Sequence, residues 1–281
     1  MWHIPIFRLK GKLGLIMNLC SIASGSSGNC IYVGSDKTSV LVDAGISGKR
    51  IEQGLNSIER TTKDCDAILI THEHSDHVKG LGVLARKYHI PIYCTKGTME
   101  ELKQMSMLGK MPEGLYRPIL AEEAFSIGDL SILPFEISHD AAEPVGYRVS
   151  HGEKSVGIAT DMGVYDEKIV ENLQGLDALL LEANHDVRML QVGAYPYSLK
   201  QRILGEKGHL SNESAGRLLC RLLHDKMKQI MLGHLSRENN YEMLAYETVC
   251  AEVTMGENPW KSSDFKISVA HRDRASELIT V

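Results

Sequence analysis

The chain has 281 residues, a formal net charge of −5, and hydrophobic and charged fractions of 43% and 24%. That length fits one large domain or two small ones with a full core, and the composition is that of an ordinary soluble globular protein. The slight acidity excludes a global attraction to nucleic acid or to an anionic membrane, so any such partner must be held by a local basic patch.

The N-terminal "MWHIPIFRLKGKLGLIMNLC" is apolar and basic, but Arg8, Lys10 and Lys12 interrupt any signal-peptide core and no small-residue cleavage site follows. Met17 is read as the natural start, with residues 1–16 a loose extension and 17–281 one domain. No apolar run reaches the length of a membrane span. The six cysteines (Cys20, Cys30, Cys65, Cys94, Cys220, Cys250) are scattered without a CxxC pair, as reduced thiols in a cytoplasmic protein are.

Short β-rich runs come first, "NLCSIA", "CIYVG" and "SVLVDAG", separated by Gly and Ser turns. The apolar "DAILIT" predicts a strand ending at "HEHSDH", followed by a helix over "VKGLGVLARKYH" and a strand at "IPIYC". "TMEE" predicts a capping box, with Thr98 as N-cap of a helix to about Leu108. A second β-rich set, "AFSIG", "LSILPFEIS", "VGYRVS" and "KSVGIAT", leads to the strand "DALLLEA". "SNESAGRLLCRLLHD" is an amphipathic helix with Ala215, Leu218, Leu219, Leu222 and Leu223 on one stripe. "KQIMLG" is a strand, "NNYEMLAYETVCAEVTM" a helix and "DFKISVA" a last strand. This order predicts an αββα sandwich: two mixed β-sheets packed face to face with helices outside.

The chemistry concentrates in "ILITHEHSDHVKG". His72, His74 and His77, three of the 12 histidines, fall within six positions beside Asp76. The HExxH helix is absent, because Asp76 stands where its second His would be. Just after a strand, His72 and His74 share one side and could chelate one ion. Asp76 and His77, after the chain turns, point elsewhere. Four ligands on one ion would leave little room for substrate, whereas a two-and-two split makes two ions that each need ligands from afar. His139 in "FEISHD", Asp161 in "IATDMG" and His234 in "MLGHLS" each end a strand-like run, and the strand ends of one sheet edge converge.

HxHxDH followed by a distant His, Asp and His resembles the metallo-β-lactamase fold family over nearly all of residues 17–270. The resemblance implies a dinuclear centre, with His72, His74 and His139 on one ion, Asp76, His77 and His234 on the other, and Asp161 bridging. Asp161 stands where the dizinc β-lactamase type carries Cys. An all-N/O set suits zinc and also admits manganese or iron. Two divalent ions outweigh Asp76, Asp161 and a hydroxide, so the centre is net positive, which suits a phosphodiester without excluding an ester or lactam. Two-metal physics makes a metal-bound hydroxide the expected nucleophile and stabilises charge on the leaving oxygen. Asp76 counts among the catalytic groups. Asp43 in "VLVDAG" is either an orienter of the ligands or a strand-end turn residue.

"GHLSNESA" places His209 just before a helix with Ser211 or Asn212 as N-cap, where a phosphate is favoured. The segment resembles the phosphodiesterase branch that includes tRNA 3′-processing nucleases, which implies that His209 contacts the scissile phosphate or assists the leaving group. "GHLSREN" resembles the last ligand motif of that branch, with Arg237 as a phosphate contact. With "SIASGSSGNCIYV", "THEHSDHVKGL", "SHDAAEPVGYRV" and "EANHD", these stretches resemble the YycJ (WalJ) type of metallo-β-lactamase-fold protein, which implies a 5′→3′ DNA exonuclease. Residues 184–210 bring Arg188, Lys200, Arg202 and Lys207 together with Tyr195 and Tyr197. Such a set suits backbone contacts plus base stacking worth about 1–3 kcal/mol per base, though an ordinary surface helix carries the same residues. The "SGSSGN" loop either closes a hairpin or turns Ser27, Asn29 and backbone N–H groups toward an anion. The expectation is a dinuclear phosphodiesterase on nucleic acid, DNA before RNA. An RNA-processing nuclease and a hydrolase of a small thioester or lactone are the alternatives.

Overall fold

The structure is a computed structural model and describes residues 15–281; most of the expected extension, residues 1–14, lies outside them. The first half runs β1 (Asn18–Ala23), β2 (Cys30–Gly34), β3 (Ser39–Val42), α1 (Gly48–Asn56), β4 (Ala67–Leu69), α2 (Ser75–Val78), α3 (Leu81–Tyr88), β5 (Ile92–Thr95), α4 (Lys96–Gln104) and β6 (Tyr116–Ile119). The second half runs β7 (Phe125–Ile127), β8 (Leu130–Glu136), β9 (Val145–His151), β10 (Lys154–Ala159), α5 (Glu167–Leu173) and β11 (Ala178–Glu182). It continues with α6 (Val187–Val192), α7 (Tyr197–Leu204), α8 (Asn212–Leu222), β12 (Gln229–Gly233), α9 (Glu242–Met255), β13 (Lys266–Val269) and β14 (Ile279–Thr280).

The strands form two seven-stranded sheets, β14-β1-β2-β3-β4-β5-β6 and β13-β12-β11-β10-β9-β8-β7. β3 to β6 are mutually parallel, as are β10 to β13, while the remaining neighbours are antiparallel. Burial of both faces of the strands explains why runs such as β11 and β12 read as continuously apolar. In β11 and β12, Leu180 and Met231 join Leu19, Val40 and Val156 in the core between the sheets. Their neighbours Leu179, Leu181, Ile230 and Leu232 face outward, under Leu218, Leu219 and Leu222 of α8 and Val249 of α9. Ile51 and Leu55 of α1 and Leu81 and Leu84 of α3 cover the first sheet in the same way. The result is the four-layered αββα sandwich.

Two local expectations change, and the choice of cap for α8 is settled. Thr95, at the end of β5, caps α4 by accepting from the Thr98 N–H at 3.4 Å, so Thr98 sits inside the helix. β5 runs straight into α4, which moves the cap to the strand end. The expected single helix after the His cluster divides into α2 and α3 at Gly80. There the N–H donates to Ala44 O at 2.7 Å, and a Cβ would lie 2.1 Å from Ile46 O. α8 is capped by Ser211, which accepts from Ser214 N at 3.1 Å. All six cysteines are free, and burial pushes Cys20, Cys65 and Cys94 up to about 12, which makes them inert thiols. Among the described residues, no helix is long and apolar enough to cross a membrane.

Candidate metal centre

The centre forms where strands stop. β10, β11 and β12 are parallel and in register, with Ala159 beside Leu181, Leu181 beside Leu232 and Glu182 beside Gly233. Asp161, Glu182 and His234 therefore leave the second sheet side by side. The continuation of β4 brings His72 to meet them from the first sheet, and that of β8 brings His139. α2 is a single turn beginning right after His74. It swings Asp76 and His77 away from His72 and His74, and the His77 N–H donates back to His74 O at 2.9 Å.

Donor atoms of His72, His74 and His139 lie within 4.8 Å of one another, and so do those of Asp76, His77 and His234. Asp161 lies between the two groups. Its Oδ2 is 3.4 Å from His77 Nε2, and its Oδ1 is 3.3 Å from His234 Nε2 and 4.0 Å from His139 Nε2. In the first group, His139 Nε2 is 3.3 Å from His74 Nδ1. In the second, Asp76 Oδ2 is 3.6 Å from His77 Nε2 and 3.5 Å from His234 Nε2.

A buried outer layer fixes which ring nitrogen faces inward. Asp43 Oδ2 accepts from His77 Nδ1 at 2.7 Å and from Thr71 Oγ1 at 2.9 Å, and its Oδ1 accepts from the Thr71 N–H at 2.9 Å. Glu182 is fully buried. Its Oε1 accepts from His209 Nδ1 at 2.8 Å and His234 Nδ1 at 2.9 Å, and its Oε2 from the N–H groups of Met162 and Leu210 at 3.0 and 3.1 Å. His139 Nδ1 donates to Gly208 O at 3.2 Å. Each of these rings thus turns its Nε2 inward, where a bound ion taking the place of a proton would meet a lone pair. Asp43, Asp161 and His234 hold φ values of 63°, 62° and 54°. That left-handed region is uncommon for non-glycine residues and costs about 1–3 kcal/mol each; at Asp43 and His234 the hydrogen bonds just described offset it.

The charges are arranged for cations. Burial alone would raise the carboxyl of Asp161, but the positive charges of His234 and His77 hold it well below the usual carboxylate range. Burial alone would lower His77, yet Asp161, Asp43 and Asp76 raise it well above the usual histidine range. His234 is likewise carried against burial to about 10, by Asp161 and by hydrogen bonds to Asp76 and Glu182. Burial, then the charge of His77, puts His72 well below its ordinary value. The donors fit divalent ions on a direct observation: His72 Nε2 and Asp161 Oδ2 are buried and make no hydrogen bond in the protein. Leaving such atoms unsatisfied costs about 1–3 kcal/mol each.

The profile of the beta-lactamase superfamily domain matches residues 38–235. The exodeoxyribonuclease WalJ of Streptococcus pneumoniae is 41% identical over 260 residues, covering 92% of this chain and 96% of that protein. The exodeoxyribonuclease YycJ of Bacillus anthracis is 41% identical over 228 residues, 81% of this chain and 86% of that protein. The chain belongs to the WalJ/YycJ family of the beta-lactamase superfamily. Among solved structures, the metallo-beta-lactamase fold protein YhfI of Bacillus subtilis aligns over 95% of this chain and 100% of its own, with a TM-score of 0.69 at 16% identity. That likeness is one of fold.

In this WalJ/YycJ-family chain, a cavity of about 160 Å³ opens beside His209, lined by Ser26, Asp140, Tyr195, Arg202, Lys207 and Ser236 among others. The larger cavity of about 620 Å³ between α9 and β13 touches none of the metal-centre residues, so size does not mark the site here. Arg202 is ion-paired with Asp140, whose Oδ1 is 3.5 Å from His139 Nε2. Lys200 instead donates to Gln191 O at 2.8 Å and stands outside the cavity, where Lys207 takes the position. Ser27 and Arg237 are exposed and do not line this cavity. Asn29 is buried. Its Oδ1 accepts from the Gly25 N–H at 2.9 Å and its Nδ2 is 3.1 Å from His77 Nε2, so it braces the loop rather than facing solvent.

Sequence reasoning missed Glu182 and Asp140. A signal for Glu182 existed: an acidic residue closing the apolar strand "ALLLE" beside two strands that also end in candidate ligands. Gly45 was missed as well. A Cβ there would lie 1.6 Å from Asp76 O. Gly45→Ala is therefore expected to displace the Asp76–His77 turn at a cost of about 1–3 kcal/mol, read as a lower melting temperature together with loss of bound metal.

Proposed function

We propose that this protein is a metal-dependent phosphodiesterase that degrades DNA from the 5′ end, with residues 17–281 acting as one domain. The observation that carries the DNA reading is the 41% identity, across 92% of the chain, to a protein named as an exodeoxyribonuclease. In this reading His72, His74 and His139 would hold one ion and Asp76, His77 and His234 the other, with Asp161 between the two groups. Divalent ions bound there (zinc, manganese or iron) would supply Lewis acidity and lower the pKa of a bound water toward neutrality.

The protein's own groups do the rest. Asp43 locks His77, and Glu182 locks His234, in the tautomer whose Nε2 points at the centre. Glu182 also accepts from His209 Nδ1, so His209 Nε2 is the free atom at the cavity mouth. Protonated there, it donates to the leaving oxygen and returns as a base, the ordinary role of a positioned imidazole. Arg202 and Lys207 supply positive charge around a phosphate in the cavity, and Tyr195 a stacking face.

The test is a substrate panel on the purified protein: duplex DNA, single-stranded DNA, RNA, a thioester and a lactone, each with Mn2+, with Zn2+ and with chelator. DNA degradation that chelator abolishes and Mn2+ restores is the expected result. Turnover of the thioester or lactone with no nucleic acid cleaved would contradict the reading, and cleavage of RNA alone would move it to the RNA-processing alternative. His209→Ala is expected to lower kcat on DNA by about 10²–10⁴-fold, the usual range for a general acid, without reducing the metal content.

A further inference from the structure

The chain after β13, "HRDR" from His271 to Arg274, carries no expectation from sequence, yet it folds onto the "SGSSGN" loop. The Ser24 N–H donates to His271 O at 3.1 Å. Arg272 Nη2 donates at 3.0 Å to the carbonyl of Leu235, the residue after His234. Gly25 leaves room for this approach: a Cβ there would lie 3.2 Å from Arg272 Nη1. Arg50 of α1 donates from Nη2 to Arg272 O at 3.2 Å. Arg274 Nη2 is 3.3 Å from His271 Nε2.

Four arginines therefore gather on one flank of the loop: Arg50, Arg237, Arg272 and Arg274. Among the described residues, the ion pairs made by arginine are Arg202–Asp140, Arg217–Glu252 and Arg221–Glu167, so none of the four is paired. Asp273, Glu238 and Glu242 act on Arg272 from further off, and Glu242 is engaged with His271 Nδ1 at 3.3 Å. Arg272 Nη1 is buried and makes no hydrogen bond. Burial, then the charge of Arg237, pulls the Arg272 guanidinium below its ordinary value. Arg50 and Arg274 line a cleft of about 240 Å³ together with Ile46, Ser57 and the carboxylate-bearing Asp273. Unpaired like charges held together repel one another, and planar guanidinium forks match phosphate oxygens.

We propose that Arg50, Arg237, Arg272 and Arg274 form a track for the phosphodiester backbone of a nucleic-acid strand that extends past the metal centre. The cavity beside His209 is lined by Ser26 of the same loop but by none of these arginines. The loop thus separates two basic areas, one at the reacting phosphate and one along the flanking strand. The proposal rests on the nuclease reading and adds where the rest of the substrate lies.

The test measures binding of a fluorescent single-stranded DNA 20-mer to the metal-loaded full chain as salt is varied. Each phosphate contact contributes about 0.7 to the slope of log affinity against log salt for single strands. Arg237→Ala/Arg274→Ala is expected to flatten that slope by about 1.4, on the same principle, and to raise KM on the 20-mer while kcat holds. Arg272→Ala removes a packed side chain, so Arg274→Glu serves as the second variant, with melting temperature as the control for folding. It is expected to flatten the slope and weaken binding. If both variants keep the parent's slope and the parent degrades DNA, the track is wrong and the nuclease reading stands. If the parent binds no strand at any salt, both fall.

Discussion

Asp161→Asn is expected to reduce DNA turnover by on the order of 10²–10³-fold or more, the scale set by removing one stabilising group from a preorganised site. The side chain lies between both donor groups, within 3.3–4.0 Å of ring nitrogens of His77, His139 and His234. Asn keeps the shape and loses the charge. The left-handed backbone at this position tolerates Asn as well as Asp, so the fold should survive. The defect should appear as lost metal and lost kcat at a nearly unchanged melting temperature. A variant with parental turnover and parental metal content would remove Asp161 from the centre.

Glu182→Ala is the second large effect, and it works through stability as well as activity. One carboxylate accepts from two histidines and two backbone N–H groups in a fully buried place. Deleting it leaves four donors without an acceptor, and breaking a buried charged network costs about 3–5 kcal/mol. For a protein of this size that is roughly 6–20 °C of melting temperature, at about 2–4 °C per kcal/mol. Metal affinity should fall about 10–100-fold, as when the partner of a ligating histidine is removed. Burial alone would raise this carboxyl, but the charge of His209 and hydrogen bonds to His209 and His234 hold it at about 2. A carboxyl depressed in the folded state stabilises above its unfolded value of about 4.3 and loses that contribution as pH falls toward the folded value. Melting curves between about pH 5 and pH 2, taken with chelator present, should therefore decline more steeply for the parent than for Glu182→Gln. Parallel curves would mean that Glu182 carries no depressed pKa.

The sandwich was legible because its strands are apolar on both faces and its long helices α8 and α9 stand out in the sequence. Of the short helices, α3 and α4 were legible and α1, α5, α6 and α7 were not. α7 buries no residue at all, so it has no apolar stripe to read. The seven side chains from His72 to His234 that the fold brings together stood out because His and Asp crowd the loop after β4 or follow strand ends. Glu182 and Asp140 are ordinary acidic residues until strand register and the Arg202 pair place them. Lys200 and Arg202 looked equivalent in sequence, yet two positions on a helix point in different directions, and Arg202 lines the cavity while Lys200 does not. Arg272 could not be read ahead, because only the closure of the C-terminal segment onto the loop after β1 brings it beside Leu235.

In the proposed function the "THEHSDH" loop divides between two half-sites, each completed by a ligand from the second sheet. Metal analysis combined with anomalous diffraction from crystals grown with Zn2+ or Mn2+ checks this arrangement. The expected result is two ions per chain, one among His72, His74 and His139 and one among Asp76, His77 and His234, with Asp161 in contact with both. A single ion shared by all four loop residues, or ions bound away from these side chains, would contradict it.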